Sequence, residues 1–576
     1  MSALHQYDYI FAITSVLAAL DAWNIGANDV ANAFASSVSS RSLTLKQAMA
    51  LASVCEFSGS VTVGSRVTEM VRKAIVNPHH FDDAPAVLLL AMMCTIMSSS
   101  IFLTVATRKG MPVMPTHSLL GGLIGSGIAS IGVSKINWGW TGVSRVIAAW
   151  VISPGFAGLL GAALFLFTRT AVLCKAGAVK RAFFSIPFYS FITFGALATL
   201  VVWEGMYLGT VPTKIVLISI FAAATGGVLL ESFFVMPWLW ARVVRDDWTL
   251  KGYHAFQGPF LLWRRPPPPT PRGAIKPHIT DFYRGHLTPE ELQFVRASEK
   301  LLQSVQTSDG KPPPTHDDDE EPILPPPAQS PPPGWVSRLD PESEALTPPR
   351  PPGSGTSWPV IRWRIGRIFL RGVERDVISM QKCNALLEWD IADMHSRARR
   401  YDNRAEYMFS TLQVITAAAT SFTHGANDVS NAIAPFSVAY EVWSEGRVPE
   451  MTNVPIWQLC FGGAVIVLGL LTFGYHVMRT LGNRLTLVSP SRGFCMELAS
   501  AITVLVATRL RLPVSTTQCI VGATVGVGLA NGDWRCINLK LTGQIYLGWL
   551  VTLPVTGFVS WCLMGMLLNA PSWPGA

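Results

Sequence analysis

Charge is what this 576-residue chain has least of. Only 14% of its residues are Asp, Glu, Lys or Arg, against about 25% in soluble globular domains. Hydrophobic residues reach 49% and fall in long runs, which excludes a string of soluble domains and predicts a polytopic membrane protein. The nine cysteines are scattered with no Cys-x-x-Cys pair, so neither a disulfide framework nor a metal site is expected. There is no Asn-x-Ser/Thr sequon to mark an outward-facing loop. No nucleophile–base pairing, nucleotide motif or metal cluster stands out, so an enzyme is not expected and no cofactor is called for. No basic stripe interleaved with aromatics appears outside the central region, so a nucleic-acid partner is not expected either. The net charge of +8 suits basic cytoplasmic loops. The opening Met1-Ser-Ala-Leu-His-Gln-Tyr-Asp8 lacks the basic stretch of a cleaved signal peptide, so the first apolar segment is expected to be retained.

Segments long enough to cross a bilayer, roughly 20 residues each, fall near 7–38, 44–64, 84–108, 140–169, 183–203 and 212–240. They resume near 407–439, 454–480, 493–511 and 540–568. Two Gly-rich segments, 112–132 and 513–530, open with Pro and hydroxyl residues. Interrupted segments of this kind are tolerated at membrane depth where they line a cavity, so they are read as re-entrant hairpins or broken helices.

Between these halves, residues 241–405 are of another kind. Proline runs at 266–269, 312–314, 325–327 and 331–333 favour extended, solvated chain. The acidic run Asp317–Glu321 belongs to the same solvated stretch. Near its end Val373, Val377, Met380, Leu387, Ile391 and Met394 share a helical stripe interrupted by Asn384, with Arg397, Arg399, Arg400 and Arg404 close by. Two readings stand open: an amphipathic helix on the cytoplasmic surface, or an ordinary helix packed on the bundle. The basic clusters flanking the loop place it in the cytoplasm.

One eight-residue phrase occurs twice, as Gly26-Ala-Asn-Asp-Val-Ala-Asn-Ala33 and Gly425-Ala-Asn-Asp-Val-Ser-Asn-Ala432. A second pair matches as well: Val105–His117 aligns with Val506–Gln518, and Gly121, Gly125 and Gly127 align with Gly522, Gly526 and Gly528. A long helix with a polar end, further helices and a hydroxyl-bearing broken helix therefore form a unit that is present twice. Polar groups in such surroundings are costly and mark a substrate or ion path.

The side chains indicate what that path carries. On a helix Asn28 and Asn32 share a face, and Asp21 lies on the same stripe if the helix is unbroken. Carboxylates offer acceptors only, so Asp29 and Asp428 suit a hard cation such as Na⁺, or a proton, rather than an anion. Ser515, Thr516 and Thr517 follow Pro513 at an expected helix N-terminus, where free N–H groups favour an anion. Taken alone, hydroxyls in that place are ordinary caps. Glu56, Glu231 and Glu497 are further charges in apolar stretches, with Glu231 nearer a helix end. His117 and His424 flank the two motif systems, open to a pH role or to plain hydrogen bonding.

At these residues the chain resembles the PiT family of inorganic phosphate transporters, which includes sodium/phosphate symporters. Asn24-Ile-Gly-Ala-Asn28, Ser39-Ser-Arg-Ser-Leu-Thr44 and Tyr401-Asp-Asn-Arg-Ala-Glu406 resemble its fungal branch. The resemblance spans 1–240 and 395–570 and leaves the Pro-rich loop unmatched. It implies an all-α polytopic membrane protein, with about 10–12 transmembrane helices in two inverted repeats and two broken-helix hairpins. Residues 1–240 would hold the first repeat and the helices after it, 241–405 the loop, and 406–570 the second repeat. It further implies alternating access in the plasma membrane, with inorganic phosphate and Na⁺ carried together and a lipid surround. Proton coupling, sulfate as cargo and a receptor that scarcely transports stay open, as does a homodimer. Asn28, Asn32, Thr116, Asn427, Asn431, Ser515, Thr516 and Thr517 carry over as phosphate-binding residues. Asp29, Asp428, Glu56 and Glu497 carry over for the cation, with sodium at Asp29 and Asp428 and the two glutamates as a pair. The family's hairpin reads Pro-Val-Ser-Thr-Thr-His in both halves. Here Met114 and Pro115 replace two hydroxyl residues, and Gln518 replaces His, which predicts weakened phosphate affinity.

Overall fold

The computed structural model describes residues 4–570 apart from 74–77, 141, 205–210, 268–278, 308–349, 353, 370–372, 374–376, 383–389, 449–453, 511 and 513. Every regular element among them is helical. The first half holds α1 (Asp8–Ser39), α2 (Leu45–Lys73), α3 (Pro85–Lys109), α4 (Pro115–Ile131), α5 (Val143–Thr168), α6 (Ala178–Thr199) and α7 (Thr213–Leu239). The middle contributes α8 (Pro289–Thr307), α9 (Trp358–Phe369), α10 (Val377–Lys382) and α11 (Ile391–Ser396). The second half holds α12 (Asn403–Glu445), α13 (Ile456–Phe473), the short α14 (Tyr475–Met478), α15 (Pro490–Arg509), α16 (Thr516–Leu529) and α17 (Leu539–Asn569).

Eight helices among the described residues are long and apolar enough to cross a membrane: α1, α3, α5, α6, α7, α13, α15 and α17. α2 and α12 have the length, at 29 and 43 residues, but are diluted by polar residues. At 1.5 Å per residue α12 is about 65 Å long, which carries it well past a hydrocarbon core.

Two helix breaks shape the centre. α3 ends at Gly110, whose φ of 70° is open to glycine at little cost, and Pro115 then starts α4 with its fixed φ. In the other half α15 stops at Arg509 and α16 begins after Ser515. The broken helices expected at 112–132 and 513–530 therefore stand as α4 and α16 with their lead-in segments.

The two halves exchange partners. α2 packs on α12 while α13 packs on α1, and α4 packs on α17 while α16 packs on α5. The motif glycines permit this approach. A Cβ on Gly26 would lie 2.0 Å from the Ile466 carbonyl oxygen, and one on Gly425 would lie 2.0 Å from that of Glu56. Pro154 of α5 runs against Gly522, and Leu553 and Thr556 of α17 run against Gly121.

The middle segment is partly built into the bundle. Gln381 donates to the carbonyls of Met478 (2.8 Å) and Leu481 (3.0 Å) and accepts from Ser39 (3.0 Å). Tyr283 donates to Glu406 at 2.9 Å, and Arg41 donates to the Asp281 carbonyl at 3.2 Å. The stripe from Val373 to Met394 does not form one surface helix. Asp390 is extended and caps a new helix, α11, through Asp393 N (3.0 Å), and Val373, Val377, Ile391 and Met394 are buried. The four apolar residues of the stripe whose burial is described therefore face protein, and Asp390 sets where α11 begins. Asn384, Leu387, the acidic run and the proline runs after 311 lie outside the described residues.

Candidate functional site

α1 runs unbroken through Gly26, so its polar residues line one face and meet α3 in turn. The Asp21 carboxylate accepts from Ser100 Oγ at 3.1 Å, and Asn24 Nδ2 donates to Thr104 Oγ1 at 2.9 Å. Asn28 comes next and is fully buried. Its Nδ2 donates to Thr107 Oγ1 (3.2 Å) and to the Met111 carbonyl (3.1 Å), and its Oδ1 accepts from Val113 N (3.2 Å). Asn28 thus holds the backbone of the first hairpin in place. Its amide is spent on that work in this conformation rather than offered to an anion.

The next turn brings the two halves together. Asn32 Nδ2 donates both to Asp29 Oδ1 (3.0 Å) and to Thr517 Oγ1 (2.8 Å). The Thr517 hydroxyl lies 3.4 Å from the same Asp29 oxygen and 3.3 Å from the Val113 carbonyl, so its one hydrogen serves either. The motif of the first half and the hairpin of the second therefore share one polar cluster. The Asp428 carboxyl faces that of Asp29, and Glu56, carried by α2, stands beside Asp428. All three are buried. Asp29 Oδ2, Asp428 Oδ2, Glu56 Oε1, Asn32 Oδ1 and Asn431 Nδ2 have no partner among the described residues. Buried polar atoms are rarely left so, and like charges gathered away from water need cations or protons. The oxygens suit a hard cation, so the residues present fit Na⁺.

The hairpins differ in what they offer. Ser515 occupies the cap position of α16, yet its hydroxyl makes no capping bond. That removes the ordinary explanation for a hydroxyl there and leaves it, with Thr516, at the N-terminal end of the helix dipole. Asn427 of the second motif is half-buried. In the first half Met114 caps α4 without a side-chain bond and is fully buried, as is Pro115, while Thr116 is half-buried.

Glu497 lies elsewhere. Its Oε1 accepts from Ser36 (2.6 Å), Ser37 (2.9 Å) and Gln413 (3.2 Å), and its Oε2 accepts from Thr416 (2.6 Å). It forms a second oxygen-rich pocket, apart from the cluster of Asp29, Asp428 and Glu56. The sequence reading did not single out Ser36, Ser37, Gln413 or Thr416. The only signal was polar residues spaced three apart in an apolar helix. Glu231 is buried on α7 beside Ser190 of α6, outside the central cluster. The His117 ring nitrogens have no partner among the described residues, and the ring lies 5.9 Å from that of Trp150. His424 is buried at the motif of the second half.

The profile of the phosphate transporter family matches residues 25–560. The chain is 46% identical to the phosphate-repressible phosphate permease pho-4 of Neurospora crassa, over 99% of both chains. It is 26% identical to sodium-dependent phosphate transporter 2 of Xenopus tropicalis, covering 93% of this chain and 94% of that one. A solved structure of a sodium-dependent phosphate transporter superposes with a TM-score of 0.58 at 24% identity, over 98% of this chain and 100% of the other, which speaks for the fold. With one profile spanning both halves and a relative aligned from end to end, the chain belongs to the phosphate transporter family.

Proposed function

We propose that this phosphate transporter is a sodium-coupled symporter of the plasma membrane, working by alternating access between two inverted repeats with its middle segment in the cytoplasm. The observation that carries this reading is the Asn32 amide, bonded at once to Asp29 and to Thr517. Through it the carboxylate end and the hydroxyl end form one site. Electrostatics supplies the reason for coupling. At an effective dielectric of about 20, a phosphate charge about 4 Å from a carboxylate costs about 4 kcal/mol. A phosphate dianion beside Asp29, Asp428 and Glu56 is therefore tolerated only when cations neutralise them.

Asp29 and Asp428 then ligate sodium, with Glu56 beside them and Glu497 in a second cation pocket. Asn32, Asn431, Asn427, Ser515, Thr516, Thr517 and Thr116 bind phosphate, and Asn28 positions the first hairpin. Each charge moved through 100 mV is worth about 2.3 kcal/mol, so net inward positive charge concentrates the anion. Protons are the competing coupling ion, because three facing carboxyls serve either cation.

Uptake of phosphate into proteoliposomes, with imposed Na⁺ or pH gradients and sulfate as competitor, separates these readings. Asp29→Asn and Asp428→Asn are each expected to abolish stimulation by Na⁺. Sodium-dependent uptake that survives either change refutes the assignment. Phosphate binding without uptake in the unaltered protein points instead to a receptor.

A further inference from the structure

α9 turns its apolar side the wrong way for a helix that merely docks on a bundle. Its start is local chemistry: Ile361 N donates to the Ser357 carbonyl at 2.9 Å, and Pro359 sits in the first turn. At 100° per residue Trp358, Ile361 and Ile365 form one stripe. An ordinary surface helix buries such a stripe, but here Trp358 is 71% exposed and Ile365 46%, while Val360, from the far side, is fully buried. α9 contacts α13, one of the helices able to cross a membrane.

Charge is arranged around the same stripe. Arg362 borders it on one side and Arg364 on the other, and both are exposed. The Arg367 guanidinium lies over the Trp363 ring at 5.1 Å. The helix Trp-Pro-Val-Ile-Arg-Trp-Arg-Ile-Gly-Arg-Ile-Phe contains no acidic residue. Guanidinium groups pair with phosphate oxygens through two parallel hydrogen bonds. Tryptophan favours the boundary between apolar chains and water.

We propose that α9 lies in the plane of the membrane and binds the anionic phospholipid headgroups of the leaflet on its side. Its Trp–Ile stripe enters the acyl boundary, and Arg362 and Arg364 on either side of it engage headgroup phosphates. Free phosphate or a soluble polyanion satisfies the arginines alone and leaves the stripe in water. Only a headgroup layer above acyl chains complements both, which is why lipid is the occupant. The inference does not depend on the transported ion.

The test is hydrogen exchange of the backbone amides at 360–367 in full-length protein. Nanodiscs of phosphatidylcholine are compared with nanodiscs of phosphatidylcholine mixed with phosphatidylserine. Exchange is expected to slow on the order of ten-fold in the anionic discs, and raised salt is expected to remove the difference. The combined change Arg362→Gln and Arg364→Gln should remove it too, with exchange in α13 unaltered. Equal exchange in both disc types overturns the proposal, even if the variant fails to fold. So does equal slowing in detergent on adding glycerophosphoserine, since the site then takes a soluble anion.

Discussion

Thr517 is the smallest group in the central cluster and touches the most. Its hydroxyl accepts from Asn32 and faces Asp29 and the Val113 carbonyl, so one methyl-sized change affects both halves. Thr517→Val preserves shape and deletes the oxygen, leaving a buried amide hydrogen short of a partner. At about 1–3 kcal/mol for such a loss, kcat/KM for phosphate uptake is expected to fall roughly 10-fold to 100-fold. Thr517→Ser should recover most of it. Initial rates in proteoliposomes decide this, and equal rates for Val and Thr contradict the role. Asp29, Asp428 and Thr517 were readable in advance because each motif occurs twice among apolar residues. The work of Asn28 was not readable: two of its three partners are Met111 O and Val113 N, and backbone groups leave no trace in a residue pattern. The Glu497 pocket escaped for a related reason, since its donors come from α1 and α12, which only folding brings together.

At the scale of elements the hairpins are alike in outline and unlike in chemistry. Pro and Gly announced both breaks, and α4 and α16 begin within a few residues of where those signals fall. The first hairpin, however, buries Met114 and Pro115 where the family pattern has hydroxyls. Replacing Met114 by Ser and Pro115 by Thr supplies two hydroxyls and one N–H, each worth about 1 kcal/mol when it meets a ligand. The double variant is expected to lower the KM for phosphate about ten-fold or more; an unchanged KM means that this arm does not touch the anion. The middle segment was harder to read than the hairpins. Its anchors are single side chains such as Gln381 and Tyr283 bonded to distant carbonyls and carboxylates, with no periodicity to reveal them. The stripe at 373–394 was visible, but the break at Asp390 depends on a cap whose effect composition does not announce.

Across the whole molecule the exchange of packing partners makes each half incomplete alone. α2 has its main neighbour in α12, and α4 has its main neighbour in α17. Inverted repeats, proposed above, produce such an exchange. Residues 1–240 expressed alone are therefore expected to be degraded or to aggregate, because glycine faces meant for another helix would meet lipid. Co-expressed with 241–576, they should co-purify as one particle in mild detergent. A stable, monodisperse 1–240 fragment would show that the halves fold independently. Duplication made the existence of two units plain from the sequence, but not which helix meets which. That follows from where carbonyls and glycines touch.

The shared amide of Asn32 has a thermodynamic corollary. An anion that takes the Thr517 hydroxyl alters the hydrogen bonding of Asp29, and an ion held by Asp29 alters what Thr517 can offer. Whatever factor one ligand contributes to the other's affinity must be returned in equal measure. If the proposed coupling holds, phosphate should then sharpen the affinity for the cation as strongly as the cation sharpens that for phosphate. Reciprocity of this sort resides in a single NH₂ group bridging two halves of one chain.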